Sequence, residues 1–130
     1  MHAIKNKIIY FVVCLLGLTL MACELAYPEV VVKNNTDEHI MLRNLSFSGC
    51  KWETLLSFGD ATSLDYCLPG EDKIHFEKFD AESYLINEEP TWFNYQTVSV
   101  KTVSYAEFHL FEIVLDDMEQ DFSVPGPYAH

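Results

Sequence analysis

Apolar and polar positions alternate through most of this chain. Residues 29–33 read Glu-Val-Val-Val-Lys, and β-branched side chains of this kind pack well on a pleated surface. Asn-Asn-Thr-Asp-Glu at 34–38 is a turn, because Asn and Asp tolerate left-handed backbone and bond their own chain. A second strand is predicted over 39–47. Ile40, Leu42 and Asn44 fall on one face and Met41, Arg43, Leu45 and Phe47 on the other. Neither face is cleanly polar, which suits a central strand. Further strands are predicted over 50–56, 64–67, 73–79, 92–102 and 108–115, with turns at 48–49, 58–63 and 68–70. The period of two is plainest where Cys50, Trp52 and Thr54 oppose Lys51 and Glu53. Residues 80–91 lack a strand pattern and are expected to hold a short helical turn over 81–85. Residues 116–130 read as an acidic tail carrying Pro125-Gly-Pro127. Seven or so short strands, spaced by turns, predict an all-β fold: a small antiparallel β-sandwich, immunoglobulin-like or related. Trp52 follows Cys50 by two residues, which is not the spacing of an antibody domain.

A different pattern precedes this. Residues 8–22 form an uncharged run of fifteen, and Lys5 and Lys7 stand ahead of it. These are the charged and apolar regions of a secretory signal. A helix of that length reaches about 22 Å, short of the hydrocarbon core of about 30 Å, so export is favoured over a membrane span. An ordinary cleavage site after Ala22 would place Leu20 where a small residue belongs. Leu20-Met21-Ala22-Cys23 instead resembles the lipobox of bacterial lipoproteins, with Met21 a less usual occupant of its position. The resemblance covers residues 1–23 alone. It implies cleavage before Cys23, a thioether from the Cys23 thiol to diacylglycerol, and acylation of the new amine. Several acyl chains anchor stably, since each buried CH₂ contributes about 0.8 kcal/mol. Inner-membrane lipoproteins usually carry Asp after the cysteine. Glu24 therefore favours the outer membrane. The chain then divides into a cleaved signal at 1–22, a lipid-anchored tether at 23–28 and one domain at 29–130.

Charge narrows the partners. Past the signal there are six Lys and Arg against 20 Asp and Glu, a net of −14. Nucleic-acid affinity comes mainly from neutralising phosphates, so nucleic acid is excluded, as is electrostatic docking on anionic lipid. Such charge chiefly keeps a protein soluble and self-repelling. The expected partners are the membrane, through the anchor, and a protein or envelope component. Of four cysteines, Cys14 leaves with the signal and Cys23 is the lipid site. Cys50 and Cys67 then form a pair in an exported protein, which favours a disulfide.

Candidate chemistry is sparse. Asp116, Asp117, Glu119 and Asp121 form the densest acidic group, the kind of oxygen set Ca²⁺ takes, but the run does not match the D-x-[DN]-x-[DN]-G loop. Glu88-Glu89 reads as a charged loop. Histidines 39, 75, 109 and 130 remain, and His75 and His109 lie in strand segments able to meet across a sheet. No G-x-S-x-G, phosphate loop or dinucleotide motif occurs, and no cofactor is implied. Asn34-Asn35-Thr36 and Asn44-Leu45-Ser46 match the glycosylation sequon, which a bacterial lipoprotein would leave unmodified. Tyr84, Trp92, Phe93 and Tyr95 surround the long loop and form a candidate ligand or partner surface. The leading expectation is a non-enzymatic envelope domain that binds or assists assembly. The alternative is a metal- or carboxylate-dependent envelope hydrolase using the acidic group with His109.

Overall fold

The structure, a computed structural model, describes residues 27–81 and 92–128. The signal segment, Cys23, most of the tether, Tyr84, His130 and the helical turn expected over 81–85, save Ala81, lie outside the described residues. Ten strands run in chain order: β1 Glu29–Asn34, β2 Ile40–Phe47, β3 Cys50–Leu56, β4 Asp65–Tyr66, β5 Gly70–Asp72, β6 His75–Asp80, β7 Phe93–Thr97, β8 Lys101–Val103, β9 Phe108–Ile113 and β10 Met118–Gln120. They form a five-stranded sheet in the order β10-β7-β6-β2-β3, a three-stranded sheet β4-β1-β9 and a two-stranded ribbon β5-β8. The fold is all-β, with packed sheets that enclose one hydrophobic cluster.

β1 shows how the layers are held. Its alternation buries Val30, Val32 and Asn34. The two valines meet Leu42, Leu45, Phe47, Trp52, Leu56, Ile74, Phe76 and Ile113 in the cluster. Burying a Val, Leu or Phe contributes about 1.5–3 kcal/mol each. Asn34 does the polar part of the same work. Its Nδ2 donates to Ile40 O at 3.0 Å and to Leu56 O at 3.1 Å, and its Oδ1 accepts from Thr36 N at 3.1 Å. One side chain thus ties the end of β1 to two strands of the opposite sheet. Cys50, opening β3, bonds Cys67, just past β4, with their Cα atoms 5.4 Å apart. The disulfide therefore joins the two sheets. Closing that 17-residue separation stabilises the fold by about 3 kcal/mol in the chain-entropy model.

Four features depart from the sequence expectation. The β1–β9 pair is parallel, Glu29 opposite Phe108 through Asn34 opposite Ile113, whereas the other strand pairs among the described residues are antiparallel. A parallel pair needs a long crossover, and everything from β2 to β8 provides it. The single strand expected at 92–102 is two strands. Asp117 accepts from Ser99 N and Oγ, both at 2.7 Å, and its carbonyl accepts from Val98 N, so the chain bends and β8 leaves to pair with β5. Gly70, expected in a turn, opens β5. The acidic tail contributes a 3₁₀ turn, Leu115–Asp117, and the edge strand β10.

Candidate functional site

The outer face of the five-stranded sheet owes its shape to an irregularity in β2. Arg43 pairs with Glu77 of β6, but the next pair is Ser46 with His75, so Asn44 and Leu45 together stand opposite Phe76. Towards β3, Arg43 pairs with Leu55 and Leu45 with Trp52, leaving Glu53 and Thr54 opposite Asn44. Asn44 takes φ +51°, the left-handed region that Asn visits more readily than most residues. Such bulges bend a strand and re-aim its side chains. Here the bulge switches parity within β2, so Ile40 and Leu42 before it and Leu45 and Phe47 after it are all buried. The even alternation expected across 39–47, with Leu45 and Phe47 opposite Ile40 and Leu42, is corrected accordingly.

Residues directly opposite in a sheet share a face. The register therefore lays a polar row across all five strands, Glu119, Gln96, His75, Ser46 and Lys51. Beside it runs a shorter row of Asn94, Glu77, Arg43 and Leu55. Where the bulge parts the rows, a shallow cleft of about 370 Å³ opens, bordered by Asn44, Ser46, His75, Glu77, Asn94 and Asp121 among others. A smaller hollow of about 260 Å³ continues over Asn44, Ser46, Lys51 and Glu53.

Asp121 anchors the floor. It follows β10, its N–H donates to Asn94 O at 2.9 Å, and it is buried. Its carboxylate meets His75 Nδ1 at 2.8 Å and accepts from the Ser123 N–H at 3.0 Å and from the Ser123 hydroxyl. Burial alone would raise its pKa. The bonds from the Ser123 hydroxyl, His75 and the Ser123 amide outweigh that and hold it below the ordinary aspartate value. Glu77 accepts from Arg43 Nε at 3.3 Å and Nη2 at 3.4 Å, and from the Asn44 amide. Arg43 in turn lies 4.1 Å over the Trp92 ring, which packs 5.4 Å from Phe79.

The candidate residues are thus partly gathered. Trp92 flanks the Arg43 end of this face. Tyr95 stacks on Phe76 and packs against the core, and Phe93 pairs with Lys78 in β6. Of the expected aromatic surface, Trp92 thus stands apart from Phe93 and Tyr95, Tyr95 borders the cleft, and Tyr84 lies outside the described residues. The acidic group is dispersed as well. Lys101 and Ser99 hold Asp117, Lys73 and Gln96 hold Glu119, and His75 holds Asp121, while Asp116 is exposed. Burial would raise the Asp117 pKa, but bonds from Lys101 and Ser99 lower it overall. Among the described residues no three His, Cys, Asp or Glu side chains converge as a metal would require. His109 lies in the other sheet, stacked on Phe111 and accepting from Ser104 N at 3.2 Å, so it meets neither His75 nor the acidic group. Sequence reasoning passed over Ser46, Glu77 and Asn94. Their signal was the parity break around Asn44, which gathers them only once β2 is placed between β6 and β3.

No known protein family matches this chain, and neither a curated protein nor a solved structure does.

Proposed function

We propose that this chain is a lipid-anchored cell-envelope domain that works by binding, with the cleft at the β2 bulge as its contact site. The lipobox-like Leu20-Met21-Ala22-Cys23 supports the anchor. One observation carries the binding site: the acidic groups of the cleft already have partners, Asp121 bonded to His75 and Ser123 and Glu77 paired with Arg43, beside the neutral donors and acceptors of Asn44, Ser46 and Asn94. Such a surface suits a small, uncharged ligand rich in hydrogen-bonding groups, since an ionic ligand would have to compete with existing pairs. Pockets of about 300 Å³ and above are in the range that holds small molecules.

Amide chemical-shift mapping tests this reading. Soluble saccharides and short peptides of envelope origin are titrated into the exported protein. The expected result is a saturable shift centred on Asn44, Ser46 and His75 that weakens at least tenfold in His75→Ala. Shifts confined to the loops of the three-stranded sheet would overturn it.

A further inference from the structure

The opposite face of the sandwich carries a second surface. Glu29 of β1 is flanked across the three-stranded sheet by Tyr66 of β4 and Phe108 of β9. Val31 is flanked by Leu110. Tyr66, Phe108 and Leu110 are 54%, 58% and 51% exposed, Tyr27 just ahead of β1 is 44% exposed, and Tyr105 in the turn before β9 is 63% exposed. Large apolar side chains therefore form a patch across three strands, concentrated at the end where β1 begins. At the far end of the same face the paired residues are Lys33 and Glu112, so the exposed aromatic side chains are confined to the end beside the tether, where they surround Glu29.

The chain outside the described residues says what this patch meets. Only four residue steps separate Cys23 from Tyr27, a span of at most about 14 Å. If Cys23 is acylated, this end of the sheet is held beside the headgroups. We infer that the bilayer interface is the partner of this face, and that the anchored domain rests on Tyr27, Tyr66, Tyr105, Phe108 and Leu110. The inference rests on the anchored reading of Cys23. Tyrosines suit that boundary, with an apolar ring and a polar tip. Contiguous exposed apolar patches mark membrane or partner contacts. The contact needs little intrinsic affinity, because a short tether makes it intramolecular. Glu29, Asp65 and Glu107 at the same end keep the contact shallow and favour zwitterionic headgroups. In this pose the cleft, on the opposite sheet, faces away from the membrane.

Spin labelling of the membrane-extracted protein, reconstituted in phosphatidylcholine vesicles, tests the pose. One label is placed through Leu110→Cys and another through Lys51→Cys on the outer face of the five-stranded sheet. Intact mass is read on the same samples. The expected result is acylated protein in which the Leu110 label collides with dissolved oxygen several-fold more, relative to a water-soluble nickel complex, than the Lys51 label does. Adding Phe108→Gln should shrink that difference. Equal ratios at the two labels on acylated protein would overturn the pose while leaving the anchor intact. An unacylated mass would overturn the anchored reading and the pose with it. A Leu110 signal that vanishes as protein is diluted within the vesicles would assign the patch to a second copy of the chain instead.

Discussion

Asn34 and Asp121 are the polar residues on which local structure turns. Asn34 belongs to a sequon, yet its side chain is fully buried and bonded to Ile40, Leu56 and Thr36, so its amide serves the fold. Asn34→Ala would leave buried carbonyls short of donors, at about 1–3 kcal/mol. Urea unfolding should show that loss as a lower midpoint at unchanged slope. Asp121 and Asp117 supply a pH dependence. Both have folded pKa values below the reference value of 3.8. A depressed carboxylate adds stability that is full above its unfolded pKa and is lost as pH falls through the folded one. The domain should therefore lose stability as pH drops below about 4. Asp121→Asn should be less stable at neutral pH and lose less on acidification. A thermal melting series in pH measures both.

At the scale of elements, the strands and the turn at 34–38 were readable because alternation and turn chemistry are local. The first three strands fall within a residue of where the pattern puts them. What escaped were features set by partners distant in sequence. The break after Thr97 depends on Asp117, twenty residues on from it in chain order. Strand β10 exists because β7 offers Met118, Glu119 and Gln120 an edge to pair with. The β2 bulge left a trace in the sequence, apolar residues two apart, then three apart, then two apart again at Ile40, Leu42, Leu45 and Phe47. Read as an even alternation, that trace misplaces half the strand, and with it the cleft. Because Asn44 sits in left-handed backbone, Asn44→Val should cost about 1–2 kcal/mol and Asn44→Gly much less. The pair of variants, compared by thermal melting, separates backbone strain from loss of the bond to Glu77.

At the scale of the whole molecule, the Cys50–Cys67 bond joins the two sheets covalently, beside the packing of the cluster, the Asn34 side-chain bonds and the Leu68 N to Ser48 O bond. The paired Cys50→Ser, Cys67→Ser variant should be about 3 kcal/mol less stable in the chain-entropy model, measured by urea unfolding against the oxidised protein. The disulfide was legible from cysteine arithmetic. Whether it ties neighbouring strands or joins two sheets was left open by the sequence, since that depends on β4 leaving β3 for β1. The candidate site was the least legible part. Its residues come from β2, β6, β7 and the segment after β10, and only the register of four strands assembles them. The two outer faces then differ, one polar with a cleft and one carrying exposed aromatic side chains around Glu29 beside the tether. A domain held at Cys23 would use the second towards lipid and the first towards solvent. The mass of the membrane-extracted protein tests that arrangement at its root. The expected mass is that of a chain beginning at Cys23 and carrying two or three acyl chains, with the acyl mass lost in Cys23→Ala. A mature chain without acyl mass would contradict it.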